Sequence, residues 1–184
     1  AGRLRPHLRG AGCRGAEARA DHDRLNPSEG PSHSGKPLKK GVLSRCIGRT
    51  KGGLNSKLHV VCDGGGKPLM MLLTEGQMSD HKGARMMLRA FPPASALIAD
   101  KGYDSDWFRE ALKARGTEPC IPPTRSRNTP LEYDRALYRQ RHKIENLFAK
   151  LKDWRRISTR YDRCAHTFFS AICIAAAVAF YLSQ

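Results

Sequence analysis

The segment Tyr138–Trp154, YRQRHKIENLFAKLKDW, carries two helical patterns side by side. At about 100° per residue, one face holds the chemically active set Tyr138, Arg141, Glu145 and Lys152. A neighbouring stripe is apolar and consists of Leu137, Ile144, Phe148 and Leu151. This pattern predicts an amphipathic helix packed on a core, with Glu145 at the margin of the buried face. The alternative is an ordinary i,i+4 ion pair between Arg141 and Glu145.

A second carboxylate stands at the end of a predicted buried strand. The apolar run Ala94–Ala99 ends at Asp100, and Lys101-Gly102-Tyr103-Asp104 follows it. Open α/β sheets generally bind their ligands beyond the carboxyl ends of their strands. Asp100 is therefore the second candidate functional carboxylate.

The remaining elements alternate between strands and helices. Lys57–Cys62 and Pro68–Thr74 predict a β-hairpin, in which Asp63 shapes the turn and His59 is structural. Predicted helices run from Ser79 or Asp80 to about Ala90 and from Asp104 or Ser105 to Arg115, and Glu118–Ile121 is a short strand. The loop Pro122–Pro130 is basic, and its Arg125 and Arg127 suit a nucleic-acid backbone. Asp162–Leu182 predicts a closing apolar helix.

The overall composition indicates a polyanionic partner. Among 184 residues, Lys and Arg number 33 and Asp and Glu 17, for a net charge of +16. This balance favours nucleic acid and a salt-dependent affinity, although a basic ribosomal-type scaffold has the same charge. Six cysteines without zinc spacing predict reduced thiols in a cytosolic protein. The apolar run Thr167–Leu182 is shorter than the ~20 residues of a membrane span and predicts a buried helix, with no membrane.

The spacing of Tyr138, Arg141, Glu145 and Lys152 resembles the signature around the last acidic residue of DDE transposases of bacterial insertion sequences. Other blocks in the same order resemble the IS-five group of these enzymes, namely RCIGRTKGGLNSKLH, LLTEGQMSDHKGA, LIADKGYDSDWFREAL and CIPPTRSR. The resemblance covers Leu38–Gln184 and implies an α/β, ribonuclease-H-like fold that is partial, with its first strand missing, and that has an added C-terminal helix. The expected organisation is a disordered basic segment over 1–37 and a catalytic domain over 38–184.

The resemblance also implies a chemistry. In DDE enzymes three carboxylates hold two divalent ions, normally Mg²⁺, for phosphodiester cleavage and strand transfer. By position, Asp100 is the second carboxylate and Glu145 the third. Arg141 and Lys152 would neutralise phosphate charge, Tyr138 would position the helix or the DNA, and Lys101 would add a phosphate contact. The implied partners are double-stranded DNA and further copies of the chain, in the bacterial cytoplasm and on the nucleoid when bound to DNA.

The first carboxylate of such a site is missing from the expected place. The family carries it in a strand resembling Ile-Asp-Ser-Thr-His-Leu-Lys-Ala-His, whereas Asp23–Pro37 reads DRLNPSEGPSHSGKP. Permitted codons for this stretch, read with the first nucleotide dropped, spell Ile-Asp-Ser-Thr-His-Leu-Lys-Ala-His-Arg-Thr-Ala-Ala-Ser. The hypothesis is that the N-terminal segment is translated out of frame up to about Leu38. Two functions therefore stay open: a transposase catalytic domain that is inactive alone, or a non-catalytic basic DNA-binding remnant.

Overall fold

The computed structural model describes residues 45–129 and 131–182, together with the backbone of Leu8–Gly10. The strands are β1 (Leu8–Gly10), β2 (Gly48–Thr50), β3 (Gly53–Asp63), β4 (Pro68–Glu75), β5 (Ala96–Ile98) and β6 (Glu118–Cys120). The α-helices are α1 (Asp80–Met87), α2 (Asp106–Lys113), α3 (Arg135–Tyr138), α4 (His142–Lys152), α5 (Arg155–Ser158) and α6 (Ala165–Ala177). Strands and helices alternate through the middle of the chain, which confirms the α/β class.

Strand β3 organises the sheet. It pairs antiparallel with β4 along most of its length, with β2 at its start and with β1 at its end. In β1, Leu8 lies opposite Asp63 and Gly10 opposite Val61. Strand β1 also contacts β5, which pairs parallel with β6. The three residues of β1 thus lie between the antiparallel strands and the parallel pair.

Alternation along β3 divides the core into two layers. Leu58, Val60 and Cys62 pack on one side against buried residues of the C-terminal helices, which are Ile144, Leu147, Phe148, Leu151, Ile157, Phe168, Ile172, Ala175 and Ala176. A second cluster joins α1, β5 and α2 and consists of Ala84, Leu97, Ala99, Tyr103, Phe108, Leu112 and Ile121. Side chains of successive strand residues point to opposite faces, and on the second face Val61 of β3 packs with Met87 of α1, so β3 has helices on both sides.

His59 of β3 is structural, as predicted. Its ring is buried and lies 3.0 Å from the Tyr103 hydroxyl and 3.1 Å from the Thr74 hydroxyl. A Cβ at Gly83 of α1 would come within 2.4 Å of this ring, so the glycine lets α1 approach β3 closely. Burial lowers the pKa of His59 to about 4. The imidazole is therefore neutral in the folded protein near neutral pH.

Several sequence predictions are confirmed. Asp63 accepts hydrogen bonds from the backbone amides of Gly65 and Lys67, so it shapes its turn. The Ser79 side chain caps α1. The described cysteines, Cys46, Cys62, Cys120, Cys164 and Cys173, form no disulfide.

Other predictions need correction. The hairpin begins earlier than predicted, because β3 starts at Gly53 and not at Lys57, and Gly53, with φ of 103°, turns the chain from β2 into β3. Leu8–Gly10 forms a strand within the segment expected to be disordered, and the rest of 1–37 lies outside the described residues. The helix predicted from Tyr138 is interrupted by a 3₁₀ turn over Arg139–Arg141.

The C-terminal helix is only partly buried. Phe168 and Ile172 join the core, whereas Ile174, Tyr181 and Leu182 are exposed. By length and composition Ala165–Leu182 could cross a membrane. One face of the helix packs against α4 in the core, so the predicted burial holds for that face only.

Candidate active site

Asp100 lies at the carboxyl end of β5, as predicted. The strand is extended by a hydrogen bond from the Ala99 amide to the Cys120 carbonyl, 3.2 Å, and Asp100 then opens a 3₁₀ turn over Lys101–Tyr103. Its side chain makes no capping hydrogen bond to that turn. The carboxylate is thus not a helix cap, and its charge is directed to another partner.

That partner is Arg141, which bridges the two predicted carboxylates. Its Nε donates to Oδ1 of Asp100, and its Nη2 donates to Oδ2 at 3.2 Å. Its Nη1 donates to Oε1 of Glu145 at 2.5 Å. The i,i+4 ion pair therefore exists, but the same guanidinium also ties α4 to the end of β5. Asp100 and Glu145 are 41 and 4 residues from Arg141 in sequence and meet it in one cluster.

The charges around this cluster keep the Arg141 guanidinium charged and the Tyr138 phenol neutral. Burial alone would lower the pKa of Arg141, but the hydrogen bond and charge of Asp100 raise it above the usual value. Burial and then the Asp100 charge raise the pKa of Tyr138 to about 12. Tyr138 packs edge-on against Tyr133, with ring centroids 5.4 Å apart. A neutral hydroxyl beside the acidic cluster can donate a hydrogen bond to an anion.

An open cleft of about 500 Å³ adjoins Asp100. Its lining combines two carboxylates, two basic residues and small polar groups: Asp80, Asp100, Lys101, Gly102, Thr124, Arg125 and Ser126. Lys101 and Arg125 are exposed and line it with Asp100. The structure therefore brings these two predicted phosphate contacts to the carboxylate.

Asp80 is a cleft residue that sequence reasoning missed. It follows the Ser79 cap, and an acidic side chain in the first turn of a helix is favourable on its own because it interacts with the helix dipole. Lys57 Nζ holds its Oδ1 at 3.0 Å and donates to the Met78 carbonyl at 2.7 Å. A Cβ on Gly102 would lie 2.7 Å from its Oδ2, which shows how closely α1 meets the turn after Asp100. Nothing in the sequence distinguishes Asp80 from an Asp that only stabilises the start of a helix.

Arg127 is engaged inside the protein. Its Nε donates to Oδ2 of Asp104 at 2.7 Å, and its Nη1 lies 2.7 Å from Asp106. Asp104 is fully buried and also accepts from Arg109 Nε at 2.8 Å and from the Thr124 amide at 2.7 Å. Burial opposes ionisation, but these hydrogen bonds dominate and lower the pKa of Asp104 to about 2. This ion cluster anchors the loop that carries Arg125 into the cleft.

Lys152 is distant from the carboxylates. It is exposed at the end of α4, seven residues beyond Glu145, which is about 10 Å along a helix axis. The structure thus unites Tyr138, Arg141, Glu145 and Asp100, whereas Lys152 stands apart on the same helix.

The described residues do not complete a metal site. Asp100 and Glu145 supply oxygen donors of the kind that Mg²⁺ prefers. Among residues 45–129 and 131–182, however, no group of three or more His, Cys, Asp and Glu side chains is placed to hold an ion. Strand β1, which lies next to β5, contains Leu8, Arg9 and Gly10 and so contributes no carboxylate. Two carboxylates bridged by an arginine fit only part of a two-metal centre.

Comparison with known proteins identifies the family. Residues 30–180 match the family model described as "Transposase DDE domain". A protein of Burkholderia cepacia, described as a transposase for insertion sequence element IS402, is 32% identical over 173 residues, which cover 83% of this chain and 79% of that protein. A protein of Brucella ovis, described as a transposase for IS6501, is 34% identical over 128 residues, covering 68% of this chain and 97% of that protein. The chain belongs to the family of insertion-sequence transposases with a DDE domain.

Proposed function

We propose that this chain is a transposase catalytic domain of the IS-five group that binds DNA but cleaves it poorly or not at all by itself. The observation that carries the proposal is the cluster of Asp100, Arg141 and Glu145. Two acidic residues far apart in sequence share the guanidinium of Arg141, and one of them, Asp100, lines the cleft, yet β1 offers them no third carboxylate. Transposition requires metal-assisted displacement at phosphorus, for which two carboxylates are an incomplete ligand set.

The strand arrangement supports a ribonuclease-H-like fold. Two long antiparallel strands, β3 and β4, adjoin the short β1, and the parallel pair β5 and β6 follows. The second carboxylate ends β5 and the third lies on α4, after a basic loop. β1, which pairs with β3 and contacts β5, would correspond in the proposed fold to the strand that carries the first acidic residue.

The positive side chains support DNA as the substrate. Lys101 and Arg125 line the cleft beside Asp100, and the chain as a whole carries +16. Phosphate contacts of this kind position a duplex without reading its bases. Paired insertion-sequence ends as substrate, self-association on DNA, Mg²⁺ as the metal, and action in the cytoplasm and on the nucleoid are parts of the same proposal.

The test is a comparison of binding and nicking by the purified chain. We expect duplex DNA to be bound with an affinity that falls steeply with salt, and supercoiled plasmid to stay intact in Mg²⁺. Mg²⁺-dependent nicking that Glu145→Gln abolishes would refute the proposed inactivity and leave the family function standing. The absence of any DNA binding at low salt would contradict both the enzymatic and the DNA-binding alternatives.

The out-of-frame origin of the N-terminal segment has a separate test. The nucleotide sequence across the codons for Asp23–Pro37 either spells an Ile-Asp-containing strand in another frame or does not. We expect the first result. The second would require another explanation for the missing carboxylate.

A further inference from the structure

A second open groove, of about 520 Å³, lies along the outer face of α1. Three cations and two methionines line it: Met78, Lys82, Arg85, Met86 and Arg89. Among the residues that the structure describes, its lining includes no acidic side chain and shares no residue with the cleft at Asp100. Its start is next to that cleft, because Met78 and Lys82 flank Asp80 on either side in the chain.

The cations of this groove have no acidic partner among the described residues. Lys82, Arg85 and Arg89 are exposed, and none of them forms an ion pair within 45–129 or 131–182. Arg85 is nevertheless held in place, with its guanidinium 5.0 Å from the centroid of the Trp107 ring. Like charges on neighbouring turns of a helix repel one another. An external anion that spans all three would relieve this repulsion.

The dimensions of the groove match a nucleic-acid strand. Seven residues separate Lys82 from Arg89, which is about 10 Å along a helix, or about three steps of 3.4 Å along one DNA strand. Met86 is 60% exposed between the cations, and its side chain offers an apolar surface to the sugars. A row of cations with an apolar floor fits a phosphate backbone better than it fits a single small anion.

We propose that this α1 groove binds the phosphate backbone of a DNA duplex that extends away from the Asp100 cleft. The inference rests on the proposed DNA-directed function but assigns a surface outside the carboxylate cluster. The groove would fix the register of DNA relative to the cleft without reading sequence. Its contribution is electrostatic, and the number of phosphates engaged determines its salt dependence.

The experiment measures the affinity of a fluorescein-labelled duplex by anisotropy over a series of salt concentrations. The groove variant is Lys82→Gln, Arg85→Gln, Arg89→Gln in the full chain. The control variant, Lys113→Gln, Arg155→Gln, Arg163→Gln, removes the same charge at exposed positions that line neither cavity. We expect the slope of log affinity against log salt to fall by about 3 in the groove variant. The affinity at low salt should fall at least about tenfold more than in the control.

Equal slopes in the two triple variants would overturn the groove proposal while leaving DNA binding by the chain intact. A wild-type chain that binds no duplex would overturn the groove and the proposed function together. Thermal unfolding checks that the groove variant is folded. Should the triple variant unfold, the single variant Lys82→Gln provides the test, because Lys82 is exposed. Its slope should fall by about 1, as expected for one phosphate contact, and an unchanged slope would overturn the proposal.

Discussion

Two carboxylate–arginine clusters each share one residue with the cleft lining, Asp100 in one and Thr124 in the other, and they differ in burial and in pairing. Asp104 is fully buried and accepts hydrogen bonds from two arginines and a backbone amide. Asp100 and Glu145 share one arginine, and the side chain of Glu145 is 53% exposed. The first cluster is saturated and structural. The second leaves oxygen lone pairs accessible from solvent, as a site that exchanges partners requires.

The comparison shows why charge and sequence position alone do not identify a functional carboxylate. Asp100 and Asp104 are four residues apart, on either side of one 3₁₀ turn. The turn directs Asp104 into the space between α2 and the basic loop, whereas Asp100 faces α4. Buried charges persist only where they are fully paired, so the saturated cluster has no capacity left for a ligand.

The largest expected effect comes from completing the open cluster. Replacing Asp23–Pro37 by Ile-Asp-Ser-Thr-His-Leu-Lys-Ala-His-Arg-Thr-Ala-Ala-Ser should supply the first carboxylate on a strand that pairs with β3 in place of Leu8–Gly10. We expect Mg²⁺-dependent nicking of supercoiled plasmid to rise on the order of 100-fold or more, because metal-held charge stabilisation contributes several kcal/mol. The same replacement with Asn in place of its Asp is the control. Equal activity in both versions would show that the missing carboxylate is not the defect.

The same substitution, Arg to Gln, should lower the free energy of unfolding by different amounts in the two clusters. Arg109→Gln removes a partner of buried Asp104 and the donor to the Ile121 carbonyl, 2.6 Å, so we expect the free energy of unfolding to fall by about 3 kcal/mol. Arg141→Gln acts on a pair that is only partly buried, with the side chains of Arg141 and Asp100 26% and 16% exposed, and should cost less, about 1–2 kcal/mol. Urea denaturation of both variants measures the difference. Similar losses would mean that the open cluster is also part of the structural core.

Lowering the pH should remove the stabilising contribution of the buried Asp104 cluster. The pKa of Asp104 is about 2 in the folded protein against an ordinary 3.8, so its contribution is complete above pH 4 and is lost as pH falls towards 2. The difference in unfolding free energy between wild type and Asp104→Asn should therefore shrink by roughly 2 kcal/mol over that window. His59, whose pKa is lowered from 6.5 to about 4, destabilises both proteins as pH falls from about 6.5 to 4, and this effect cancels in the difference. A constant difference down to pH 2 would contradict the role given to these hydrogen bonds.

The sequence predicted the cluster of Asp100, Arg141 and Glu145 better than it predicted the buried cluster around Asp104. Periodicity placed Glu145 beside a buried stripe, and the apolar run before Asp100 marked a strand end. Both signals are local, and the family resemblance supplied their relation to each other. Arg127 looked like a free cation of a basic loop because its partner, Asp104, is 23 residues away. Only the packing of α2 against that loop brings Arg127 and Asp104 together. The spacing of residues along the chain does not predict this contact.

The α1 groove and β1 were missed for related reasons. Lys82, Arg85 and Arg89 look like an ordinary solvated helix face until the described lining of their groove is known to include no acidic side chain. Strand β1 has three residues with no alternation to detect. Its position follows from the unpaired edge of β3, which forms hydrogen bonds with whichever segment reaches it. Long-range pairing of this kind depends on the assembled sheet.

The smallest expected change in stability belongs to the residue with the largest expected role in chemistry. Glu145 is half-exposed on α4, and its ion pair with Arg141 is of the i,i+4 type, which contributes about 0.3–0.5 kcal/mol. Glu145→Gln should therefore shift the urea midpoint of the chain barely at all. In the chain with the restored first carboxylate, the same substitution should abolish nicking, because an amide is a far weaker metal ligand than a carboxylate. A residue whose loss leaves the fold intact but removes the activity acts on the reaction, and unchanged nicking by this variant would exclude Glu145 from the site.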